Sequence, residues 1–290
     1  MSREYPEIKR HFTSGEAIRS WFRHVEALYT RGLPGQFIPS GVDELDDCIG
    51  GWRRGIFSVV AGRPGMGAST LLFQSAVHIA LEEDTAVAMV PLNETMQEGV
   101  YRVVSAHTGI HRLDIRRGKL SEEEWETLLD AGKHLNEAPL HWLTSPKMFI
   151  GDLVDECERL ADEEDVEILF VDCLQRLSAR GEWQSFEDEI TEVTRGLKYI
   201  ATEVGLTVVT GARLNNDPER RANGRPFIAD IYGCHTIGYL ADLVLLLYRD
   251  ELYYPYGDNT GCVELHVAKN VDGATGTVNV YYDDKQLRFI

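Results

Sequence analysis

Residues 62–69 read Gly62-Arg63-Pro64-Gly65-Met66-Gly67-Ala68-Ser69. This is the phosphate-binding pattern G-x-x-x-x-G-K-[ST] with every fixed position kept except the lysine, which is Ala68. An apolar, β-branched run at residues 56–61 leads into it, and a helical pattern at residues 70–81 leads out. Strand, loop and helix in that order aim backbone N–H groups and a helix N-terminus at a phosphate. The plain alternative is a Gly/Pro turn that joins a strand to a helix and holds nothing.

The alternation continues along the chain. Residues 85–90, 167–172 and 206–210 read as further strands, each separated from the next by helical patterns. Such alternation predicts an α/β fold with a mostly parallel sheet covered on both faces. Residues 243–249, 262–268 and 277–282 are the last strand candidates. The final ones follow each other without helices, and the intervening turn carries Gly273 and Gly276. That reads as a hairpin and an antiparallel extension. Ahead of the sheet, Ser14–Arg31 places Ile18, Trp21, Phe22, Val25 and Leu28 on one stripe of a helix. The expected division is an N-terminal segment, 1–37, carrying this amphipathic helix, and one large domain, 38–290.

Composition narrows the partners. The net charge is −18, from 47 acidic and 29 basic residues. Residues 1–37 carry a net +2, so the body is more acidic than the whole. Nonspecific nucleic-acid affinity comes from neutralising phosphates, which this body does poorly. The basic patch is residues 213–225, where Arg213, Arg220, Arg221 and Arg225 face Asp217 and Glu219. Single-stranded DNA is therefore expected to bind weakly, through Arg220, Arg221 and Arg225. The five cysteines are scattered and lack C-x-x-C spacing, which reads as reduced thiols and no zinc site. No run approaches the roughly 18 apolar residues of a membrane span. Residues 1–10 have no signal-peptide core. A cytoplasmic protein without a membrane role is expected.

Residues 168–172 form an apolar run that ends in Asp172. In phosphate-loop proteins a strand-end Asp and the loop hydroxyl hold Mg²⁺ together. Here that pair is Asp172 and Ser69.

A string of short motifs, in order, carries a resemblance. Ile38-Pro39-Ser40-Gly41, Leu45-Asp46, the 62–69 loop, Gly118-Lys119-Leu120-Ser121, Asp172-Cys173-Leu174-Gln175, Tyr248-Arg249-Asp250-Glu251, Ala268-Lys269 and Gly273-Ala274-Thr275-Gly276-Thr277 resemble the RecA-like motor domain of DnaB-type replicative helicases. The resemblance covers roughly residues 14–290. It implies a RecA-like fold that binds ATP or ADP with Mg²⁺. It also implies a ring in which the Ser14–Arg31 helix docks on a neighbour through Trp21, Phe22, Val25 and Leu28. The nucleotide-binding set it implies is the 62–69 loop, Thr70, Gln175, Arg213 and Arg249. The catalytic set is Asp172, with Glu94 and Lys269. The separate N-terminal domain of that family has no counterpart in this sequence.

The chemistry of that family carries over less well than its fold. Its water-activating Glu falls on Asn93, with Glu94 one residue late. A shift of one on a strand turns a side chain to the other face. Its γ-phosphate-sensing Gln corresponds to Arg213. Its β-hairpin Arg finger corresponds to Val271, although Lys269 is kept. Its DNA-gripping segment corresponds to Tyr232-Gly233-Cys234-His235. A general base supplies about 10²–10⁴-fold and an Arg finger about 10³–10⁵-fold. Either loss leaves a motor too slow to move DNA.

Three functions are compatible with these residues. The first is a helicase-like subunit of a ring, homomeric or joined to a homologous helicase, that hydrolyses ATP poorly and works by binding or regulation. The second is an active helicase in which Glu94, Lys269 and Arg213 replace the missing groups. The third is a nucleotide sensor without turnover. The loop without its lysine is expected to bind nucleotide weakly and to treat ADP and ATP alike.

Overall fold

Central strands with apolar residues on both faces organise the chain. The computed structural model describes residues 13–31, 36–254, 260–283, 286 and 288–290. In chain order the elements are α1 Ser14–Arg31, β1 Phe37–Ile38, α2 Asp43–Ile49, β2 Trp52–Arg53, β3 Phe57–Gly62, α3 Ala68–Glu82 and β4 Val87–Pro91. Then come α4 Met96–Thr108, α5 Arg112–Arg117, α6 Glu122–Glu137, β5 Leu140–Trp142, α7 Ile150–Glu163 and β6 Ile168–Asp172. The last are α8 Phe186–Tyr199, β7 Thr207–Arg213, α9 His235–Leu240, β8 Leu243–Tyr248, β9 Cys262–Asn270, β10 Gly276–Asp283 and β11 Arg288–Phe289. Among the described residues, β1 and β2 form a small antiparallel pair, and the other nine strands form one sheet, in the order β11-β10-β9-β8-β3-β7-β6-β4-β5.

The strands from β8 to β5 in that order pair in parallel, and β9, β10 and β11 add antiparallel strands at one edge. This is the RecA-like arrangement the motifs predicted, with the antiparallel extension in its expected place. Alternate residues of a strand face opposite sides, and here both sides are dry. Val59, Leu169 and Val171 pack with α7 and α8 through Leu153, Ile190 and Leu197. Val60, Ile168 and Phe170 pack with α3 through Leu71, Leu72 and Phe73. Removing one such side chain costs about 2–5 kcal/mol.

The parallel register sets the site. Gly62 pairs with Arg213, and Pro91 with Asp172, so the chain leaves β3, β4, β6 and β7 at one rim of the sheet. Ligands of open α/β sheets bind outside these carboxyl ends. Among the described residues, no helix is long and apolar enough to cross a membrane.

Candidate functional site

The loop between β3 and α3 needs its glycines. Gly65 has φ +85° and Gly67, which caps α3, has φ +102°. A Cβ on Gly67 would lie 2.8 Å from the Phe289 ring. Side-chain-bearing residues rarely adopt such φ values. Arg249 buttresses the loop from below: its Nη1 donates to the Gly65 carbonyl at 3.3 Å and its guanidinium lies over the Tyr282 ring at 4.4 Å. Met66 is buried in the core under the loop. Above the loop opens a cleft of about 580 Å³, the size class of a small-molecule site.

The cleft brings together Gly62, Arg63, Pro64, Gly65, Gly67, Ala68, Ser69 and Thr70 with Asp172 and Arg213. Asp172 is almost fully buried. Burial pushes its carboxyl above the usual range, while a hydrogen bond with Ser69 and the charge of Arg102 act the other way. Ser69 and Asp172 thus present two hard oxygen donors side by side. That is donor chemistry suited to Mg²⁺, which completes its shell with phosphate and water. Among the described residues no group of three or more His, Cys, Asp and Glu could hold a metal alone.

Beside Asp172 stands an amide. Asn93 Nδ2 donates to Asp172 Oδ1 at 3.2 Å, and Asn93 Oδ1 accepts from Arg213 Nη2 at 2.8 Å. Glu94 does not line the cleft. Both its oxygens accept from Arg102 Nε, at 2.7 and 2.8 Å. The carboxylate one residue late is held in an ion pair at the cleft's edge.

Other expected residues lie apart from the cleft. Gln175 is turned to the backbone, donating to the Tyr232 carbonyl at 2.7 Å and accepting from the Arg213 amide at 3.0 Å. Lys269 sits at the far end of the sheet, opposite Val244 in register, and donates to the carbonyls of Gly238 and Tyr239 that close α9. Arg220 pairs with Asp217, Arg221 with the buried Asp230, and Arg225 with Glu264. Of these partners Asp230 and Glu264 lie outside the 213–225 segment, and they leave little net positive charge there. On α1, Trp21, Phe22 and Val25 are exposed, with the two rings edge to face at 4.9 Å. The side chain of Leu28 lies outside the described residues.

Sequence reasoning missed Arg102, Arg112 and Tyr282, which also line the cleft. Arg102 reaches it from α4 and Arg112 from α5. A signal was present for α5: Arg112, Arg116 and Arg117 form a basic run inside an acidic body. The 213–225 loop is thus not the one basic segment.

Comparison with known proteins agrees with this geometry. The family model of the DnaB-like helicase C terminal domain matches residues 37–290. The chain is 29% identical over 270 residues to the replicative DNA helicase DnaB of Geobacillus stearothermophilus, and likewise to the replicative DNA helicase DnaC of Bacillus subtilis. Each alignment takes in 93% of this chain and 60% of the relative, so the chain spans less than two thirds of the length of these curated relatives. Two solved structures share the fold at 23% identity. One, of a DnaB-like replicative helicase and its interactions with primase, gives a TM-score of 0.85 over 97% of this chain and 67% of that one. The other, of an ATPase domain, gives 0.88 over 97% and 99%. With its loop, strand-end Asp and sheet order in place, the chain belongs to the DnaB-like helicase C-terminal domain family.

Proposed function

We propose that the chain binds ATP or ADP with Mg²⁺ in the cleft and turns ATP over poorly. It acts as a binding or regulatory subunit of a ring linked to DNA replication. The ring is either homomeric or shared with a homologous helicase. Loop amides cradle the α- and β-phosphates, and Ser69 and Asp172 hold the ion. Mg²⁺ supplies charge neutralisation at the phosphates.

The observation that carries the reading of poor turnover is the Asn93–Asp172 contact. An amide there orients a water but does not take its proton at neutral pH. Support comes from Glu94, whose carboxylate is occupied by Arg102. A ring is supported by the exposed stripe of α1, which no part of this chain covers among the described residues. Exposed aromatics of this kind are typical anchors of an interface. Weak binding of single-stranded DNA is supported by the ion pairs of Arg220, Arg221 and Arg225.

Steady-state ATP hydrolysis by the full chain, with and without single-stranded DNA, tests this. Turnover should stay below about 1 s⁻¹, the low end for enzymes. Turnover above that, stimulated by DNA, would establish the active helicase instead.

A further inference from the structure

Among the described residues, one arginine of the cleft has no hydrogen-bond or ion-pair partner. Arg63 is taken up by Glu219 and by the carbonyls of Leu214 and Asn215. Arg102 is held by Glu94, and Arg213 by Asn93. Arg112, the first residue of α5, lines the same cleft. Among the described residues its guanidinium has no hydrogen bond or ion pair.

A half-buried guanidinium without a direct ion pair works against folding. Burial first, and then the charge of Arg102, push Arg112 below the usual arginine range; Glu94 and Tyr282 act the other way. The fold thus holds two cations near each other, and the carboxylate near them, Glu94, is already bonded to Arg102. Groups kept in such surroundings inside a cleft mark functional sites. What the cluster lacks is a second anion, and what the loop lacks is a cation at Ala68. Tyr282 links the two places. It is near enough to act electrostatically on Arg112, and its hydroxyl lies 3.4 Å from Thr70 Oγ1 in the first turn of α3.

We propose that Arg112 takes over the role of the missing loop lysine and holds the terminal phosphate of the bound nucleotide. The inference rests on the reading of the cleft as a nucleotide site. A guanidinium suits it, because its planar fork meets two phosphate oxygens at once. The lysine of such a loop reaches the β- and γ-phosphates, so Arg112 gives this chain a preference for ATP over ADP. That departs from the equal affinities expected of a loop that has merely lost its lysine.

Calorimetric titration of the full chain with Mg-ATP and Mg-ADP tests it. Wild type should favour ATP. Arg112→Ala should weaken ATP about 10–100-fold, the value of one or more charged hydrogen bonds, and weaken ADP far less. Arg112→Lys should keep most of the ATP affinity. Ala68→Lys placed in the Arg112→Ala background should restore it. The melting temperature without nucleotide should not fall in Arg112→Ala, since an unpaired cation is removed. If wild type binds ATP and Arg112→Ala keeps the same ATP-to-ADP ratio, or Ala68→Lys brings no rescue, the assignment of Arg112 is overturned. If wild type binds neither nucleotide, the nucleotide reading itself fails, and the assignment with it.

Discussion

Asn93 donates a hydrogen bond to Asp172 Oδ1 across 3.2 Å. The contact ties an amide to the one buried carboxylate of the cleft. The other face of that amide accepts from Arg213 at 2.8 Å. Asn93 is therefore fixed at both ends, by Asp172 and by Arg213.

Restoring the lysine alone should not restore a motor. Ala68→Lys should tighten ATP binding about 10-fold or more, because it adds a charged donor at the phosphates. Hydrolysis should still stay below about 1 s⁻¹, because Asn93 and Val271 are unchanged. Parallel calorimetry and hydrolysis assays on this variant separate binding from chemistry.

The basic loop should matter for stability before it matters for DNA. The Asp230 side chain is 2% exposed. Burial works to raise its carboxyl, but the Arg221 hydrogen bonds and the Phe227 amide outweigh this and hold it below the usual range. A lowered folded pKa gives stability that is present above the unfolded value and lost as pH falls through the folded one. Arg221→Ala should cost about 1–3 kcal/mol at pH 7 by stranding a buried charge. Its deficit should shrink in acid below the ordinary carboxylate range, as pH falls through the lowered value at which Asp230 takes up its proton. Arg220 is 80% exposed, and Arg220→Ala should cost under about 0.5 kcal/mol. Urea melts at neutral pH and in acid check both.

The N-terminal helix should govern assembly and not folding. Trp21 and Phe22 are 54% and 61% exposed. Changing both to Ala should shift the mass toward monomer in light scattering and leave the melting temperature of the monomer nearly unchanged. An unaltered mass would place the helix outside the interface.

Much of this arrangement was legible in the sequence. The strands at residues 167–172 and 243–249 ended within one residue of the observed β6 and β8, since fully buried strands are continuous apolar runs. The helix over Ser14–Arg31 matched because its stripe repeats with the helical period. β1, β2 and β11 are two residues each and β5 is three, too short to leave a pattern. The loop, Ser69 and Asp172 were found because each stands at the end of a strand or the start of a helix with a fixed spacing. Arg112 was not, because only the folding of α5 toward the loop brings it to the cleft. Nor did spacing reveal that Asp230 and Glu264 would neutralise Arg221 and Arg225, since those partners lie up to 39 residues away.

Single-stranded DNA should bind with a shallow salt dependence. Each phosphate contact on a single strand adds about 0.7 to the log–log slope. With Arg220, Arg221 and Arg225 all in ion pairs, a slope magnitude of about 1 or less is expected in fluorescence titrations. A slope of about 3 or more would reveal a DNA surface elsewhere on the chain.

The central claim is a cleft that holds ATP without efficiently cleaving it. The most direct measurement is a single-turnover experiment. Excess protein is mixed with trace labelled Mg-ATP and single-stranded DNA, quenched at intervals, and the bound nucleotide identified. Bound label should remain ATP for many seconds. Conversion of the bound label to ADP at about 1 s⁻¹ or faster would contradict it.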